Sequence, residues 1–151
     1  MMHRWAARFF VLALCALVPG QLFAQGQQSS KDSRTGSSLE QNYPNPFNPE
    51  TRIPFRIGGY PNCVSPGRQY RVSLRIFNVL AQQIAIPILQ GGAAGVAGGQ
   101  LLESLLLPCG EYTGYWDGKL RNGREAASGI YGIRLEIEGG SPLMRKMTIR
   151  K

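Results

Sequence analysis

Ser128 is the first residue here whose type and setting could do chemistry. It sits in Ala127-Ser128-Gly129-Ile130-Tyr131. A serine hydroxyl becomes a nucleophile only beside a general base. The chain's single histidine is His3, inside an N-terminal segment expected to be removed. The Gly-x-Ser-x-Gly elbow is also missing. Asp117, in Trp116-Asp117-Gly118, could open a calcium loop. Calcium wants six or more oxygens, often from several carboxylates, and Asp117 is the only acid between Tyr112 and Arg124. Asp117-Gly118 and Asn122-Gly123 therefore read as turn chemistry. No Cys-x-x-Cys pair offers a metal site. The glycines of 91–99 precede no helix that would cradle a phosphate, and no carboxylate pair suggests acid–base work. The expectation is a non-enzymatic chain with no catalytic residue, cofactor or metal.

The N-terminus explains why His3 drops out. Residues 1–24 have the form of a secretory signal peptide. His3, Arg4 and Arg8 stand without an acid, Phe9–Val18 is a ten-residue apolar run, and Leu22-Phe23-Ala24 precedes a cut before Gln25. The run is too short to span a bilayer, which takes roughly 20 apolar residues, and no other stretch could form a transmembrane span. Cys15 follows Leu14, where a lipoprotein signal wants Gly or Ala, which argues against lipidation. The mature chain then keeps 127 residues with 15 basic and 9 acidic side chains, a formal charge of +6. Such a surface is either solvated or attracts an anionic surface polysaccharide; an exported chain has no nucleic acid to meet. Cys63 and Cys109 remain. An even cysteine count in an oxidising compartment favours a disulfide, the alternative being two buried thiols.

The elements that must position these residues read as strands. Gln25–Ser38 is polar, without a large apolar residue, and predicts a flexible linker. The domain then covers 39–151. Its first segment is the proline-and-asparagine run Leu39–Thr51, which predicts an ordered irregular strap with Tyr43 and Phe47 as core anchors. Ile53, Phe55 and Ile57 alternate with Arg52, Pro54 and Arg56, and Pro54 predicts an edge strand. Val72, Leu74 and Ile76 alternate with Arg71, Ser73 and Arg75. Ala85–Leu89, with Pro87, predicts another edge. Gly91–Gly99 reads as a loose loop, and Leu101–Leu107 is open between strand and helical turn. Tyr112 and Trp116 share a face. Tyr131, Ile133 and Leu135 predict the clearest core strand, with Trp116 filling the core beside them. Leu143–Ile149 is the last strand. About seven short strands predict an all-β antiparallel sandwich.

Asn42-Tyr43-Pro44-Asn45-Pro46-Phe47-Asn48-Pro49 resembles the opening motif of the C-terminal sorting domain (type A) of the type IX, or Por, secretion system. Ile76–Gln82, with Ala81 where glycine is usual, Trp116-Asp117-Gly118, Gly123-Arg124 and Ala127–Tyr131 resemble that family's later motifs. The resemblance implies an immunoglobulin-like sandwich, located in the periplasm, on the outer surface or outside the cell. Its partners would be secretion or envelope proteins. It also implies that export machinery reads the terminal strand at Lys146, Met147, Ile149, Arg150 and Lys151. A terminal strand with one free edge could also pair with a partner's backbone. The alternative is a stand-alone structural or adhesive module, similar to the immunoglobulin-like domain of flagellar hook-capping proteins. That family shares the Trp-Asp-Gly and Ser-Gly-x-Tyr pattern, and the short stretch between leader and domain favours it.

Overall fold

The computed structural model describes residues 30–91 and 95–151. The expected signal peptide and the start of the expected linker lie outside these residues. Among the described residues ten strands follow one another: β1 Ser30–Lys31, β2 Ser38–Leu39, β3 Thr51–Ile57, β4 Gln69–Phe77, β5 Gln83–Ala85, β6 Ile88–Leu89, β7 Leu105–Pro108, β8 Gly110–Trp116, β9 Gly129–Ile137 and β10 Leu143–Ile149. One sheet runs β1-β2-β3-β8-β6. The other runs β10-β9-β4-β5, with β7 also on β4. Every pairing between named strands is antiparallel. The two sheets form an immunoglobulin-like β-sandwich. No helix among the described residues is long and apolar enough to cross a membrane.

Period-two alternation builds the core, because successive side chains in a strand face opposite ways. Ile53, Phe55, Ile57, Tyr112 and Trp116 point inward from the first sheet. Val72, Leu74, Ile76, Ile133, Leu135, Met147 and Ile149 meet them from the second, and all of these are buried. Phe55 stacks on Tyr112 with ring centroids 5.7 Å apart. Gly114 lies opposite Ile53, and a Cβ there would come within 2.6 Å of Leu74. The missing side chain lets the sheets close at that point. Tyr131 differs from the expected core set. It is half-buried and packs against the core's rim.

Several sequence expectations change. Ser30–Ser38 is a hairpin rather than a flexible linker. β1 pairs with β2, and β2 pairs with β3. Polar groups hold the hairpin where apolar ones are missing. Asp32 is buried and accepts bonds from the Thr35 hydroxyl at 2.6 Å and the Thr35 amide at 3.0 Å. Burial alone would raise the Asp32 pKa. The bonds from Thr35 and from the Arg34 amide outweigh it and hold the carboxyl below its ordinary 3.8. β3 is interior, not an edge. Pro54 is tolerated because its missing amide faces the point where β2 ends, leaving only the Glu40 amide to bond the Pro54 carbonyl.

Ala85–Leu89 is two strands in two sheets. β5 pairs with β4, β6 pairs with β8, and Pro87 stands at the crossing. Pro87 has no amide to offer either sheet, and its carbonyl accepts from Leu102. Leu102 is a buried plug, Ser104 turns the chain with a positive φ of 51°, and β7 follows. The 91–99 loop is closed at its neck, where Gly99 and Gln100 bond Leu89. The Cys63–Cys109 disulfide forms, with Cα atoms 5.8 Å apart. It ties the β3–β4 loop to the β7–β8 junction.

Candidate functional site: the strap and the terminal strand

The strap, 40–50, joins β2 to β3 and crosses one end of the sandwich. Prolines 44, 46 and 49 cannot donate to a ladder, so side chains replace the missing bonds. Asn42 is buried and donates its amide to the Pro44 carbonyl at 3.1 Å and to Thr51 Oγ1 at 2.9 Å. Gln41 Nε2 reaches Asn42 Oδ1 at 2.7 Å and the Lys146 carbonyl at 2.9 Å. Asn45 Oδ1 accepts the Thr148 amide at 3.0 Å. The X-Pro bonds at Pro44, Pro46 and Pro49 are cis.

Phe47 is the strap's anchor. Its amide donates to the Thr148 carbonyl and its carbonyl accepts from the Arg150 amide, a parallel bridge onto β10. The bridged residue, Ile149, faces inward, so Phe47 does too and is 1% exposed. Tyr43 is not an anchor, against expectation. Its backbone pairs with Arg52, which faces outward, and the ring is 51% exposed. Pro44, Asn45 and Pro46 between the two, and Asn48 and Pro49 just after Phe47, form an exposed ridge.

The other motifs meet the strap from beneath. Phe47 packs edge-on against Trp116 at 5.5 Å, and Trp116 against Tyr131 at 5.9 Å. Trp116 Nε1 donates to the Lys119 carbonyl at 2.8 Å. Asp117 accepts the Lys119 amide and Asn122 the Arg124 amide, which fixes the two turns. Gly118 has φ +75°, and a Cβ there would overlap the Pro49 carbonyl. Glycine is required at that position by both backbone and strap. Tyr131 Oη donates to the Ala127 carbonyl at 2.8 Å.

The terminal strand divides its residues. Met147 and Ile149 are buried in the core, while Lys146, Arg150 and Lys151 are exposed. Lys151 bonds Glu125 at 2.7 Å, and that contact holds the Glu125 carboxyl below its usual range. The Lys151 amide donates to Ser128 Oγ at 3.1 Å, so Ser128 acts as a clasp. Among the described residues, neither Lys146 nor Arg150 has a carboxylate in ion-pair range. The expected free edge of β10 is mostly occupied. Strap groups bond its outward positions from the Lys146 carbonyl to the Arg150 amide. The Met144 end lies beyond them.

Sequence reasoning missed Gln41 and Ser128 as ties to the terminal strand, because a contact across 105 residues for Gln41 leaves no local signal. Comparison with family models, with curated proteins and with solved structures finds no match to this chain.

Proposed function

We propose that this chain is a non-catalytic, exported recognition module of the type IX sorting-domain kind, read by secretion or surface-attachment proteins. One observation carries the reading. The strap seats on the terminal strand, so the proline-rich ridge and the cations Lys146, Arg150 and Lys151 are presented together on one rigid unit. Preorganised display lowers the ordering cost of binding. Lys146 and Arg150, which have no carboxylate in ion-pair range among the described residues, suit an acidic protein surface or an anionic surface polysaccharide. The disulfide is in keeping with an oxidising compartment.

The test is a reporter fused ahead of the domain in a host that has a type IX machine, carrying K146Q/R150Q/K151Q. These positions are exposed, so the unfolding free energy should change by about 0.5 kcal/mol or less. Surface display of the reporter should fall about tenfold or more if the cations are read. Unchanged display would sink the reading.

The burial of Met147 and Ile149 and the covered β10 edge favour a second reading. In it the tail is only a strand and the domain is a structural or adhesive module. Unchanged display would favour that reading.

A further inference from the structure

Gly132 stands in the middle of β9, yet nothing in the fold requires a glycine there. Its φ lies outside the left-handed region, and a Cβ at this position would meet no atom within 4 Å. A glycine weakens a strand and commonly marks the close approach of something else. Its cross-strand neighbours are Lys146 and Phe77, so the gap opens on the outer face of the second sheet. It forms the floor of a shallow groove of about 340 Å³. The walls are apolar and uncovered: Val79 is 79% exposed, Met144 60% and Ile130 51%. Apolar side chains clustered around a recess mark interaction sites, whereas scattered ones do not.

The charge around the groove identifies the occupant. Among the described residues no carboxylate lines it, while Lys146 does, and Arg134 lines the adjoining recess beside Met144. The Arg145 guanidinium is turned to the other face, where it bonds the Leu39 carbonyl. Lys146 has no acid in range among the described residues. Glu136 bonds one nitrogen of Arg134, but Arg134 Nε is buried without a partner among the described residues. The groove is open rather than enclosed, which suits a peptide laid across the sheet better than a swallowed small molecule. We infer that this face docks an extended, acidic peptide segment of a partner protein, with one large apolar or aromatic side chain seated over Gly132 and a carboxylate beside Lys146. This surface is separate from the strap ridge, and only Lys146 belongs to both.

The test uses a displayed library of random linear peptides selected on the full chain and counter-selected on Gly132→Phe. A phenylalanine fills the recess from open space, so the variant should unfold at the same midpoint as the parent or higher. The expected consensus is a bulky apolar residue flanked by Asp or Glu. Synthetic peptides of that consensus should bind the Gly132→Phe and Lys146→Glu chains at least about tenfold more weakly. Their amide-shift changes should centre on Ile130, Gly132 and Met144. No enrichment, a consensus without carboxylates, or equal binding by Gly132→Phe would overturn the proposal. So would binding of phosphatidylglycerol vesicles that Gly132→Phe removes, because that would make the groove a lipid site.

Discussion

Replacing Phe47 by alanine isolates the strap's attachment. The ring is 1% exposed and lies 5.5 Å from the Trp116 ring. Buried Phe→Ala changes cost about 3–5 kcal/mol, the spread reflecting how far the site can collapse. Collapse is limited here. The prolines and the buried Asn42 amide fix the strap on both sides, and Gly118 already touches the Pro49 carbonyl. The edge-to-face contact with Trp116 adds about 0.5–1.5 kcal/mol within that total. We expect a loss of about 4 kcal/mol, a large share of the roughly 5–15 kcal/mol that domains possess. The melting midpoint should fall by roughly 12–20 °C. Urea unfolding followed by Trp116 fluorescence measures the loss. Amide exchange at Arg150, which donates to the Phe47 carbonyl, reports the strap directly and should lose its protection. A cost below about 1 kcal/mol, with Arg150 still protected, would refute the argument that Phe47 pins the strap.

Three further outcomes follow from other parts of the fold. Ala81 holds φ 58° in the β4–β5 turn, fixed by Asn78 Oδ1 accepting the Leu80 and Gln82 amides. Ala81→Gly should stabilise by about 0.5–1 kcal/mol in urea titration, since relief of left-handed strain exceeds glycine's entropic cost. The depressed pKa of Asp32 makes its contribution complete above the ordinary 3.8 and lost as pH falls through the lower folded value. The melting midpoint should therefore drop more steeply below about pH 4 in the parent than in Asp32→Asn. Removing both Cys63 and Cys109 as serines should cost about 2–4 kcal/mol, checked by urea unfolding of the variant against the oxidised parent.

The long strands were legible because β3, β4, β8, β9 and β10 each alternate over seven or nine residues. The cysteine pairing was legible from the even count. The short strands were not. β1, β2, β5 and β6 have two or three residues each, too few to show a period. The turn of the hairpin is held by Asp32 and Thr35, and its one buried large apolar residue, Leu39, stands at its far end, so composition made Ser30–Ser38 look like a linker. Tyr43 and Phe47 are both aromatic and four residues apart. Only their bridge partners, outward Arg52 and inward Ile149, decide which one enters the core. The Gly132 groove depends on which side chains surround a gap, and no local pattern records that.

The strap also sets an order of events. Asn45 and Phe47 are made early, but their partners are Thr148 and Arg150, and the Asn45–Thr148 contact spans 103 residues. Chains emerge from the ribosome N-terminus first. Until Thr148 and Arg150 arrive, the strap has its bonds to Thr51 and Arg52, but the Asn45 side chain and the Phe47 backbone lack their partners. The sandwich is thus fastened late, by β10, and a chain stopping before Thr148 leaves this fastening undone. Such a chain would show an unseated phenylalanine and an unpaired strand edge. The seated strap is therefore an outward sign that β10 is in place.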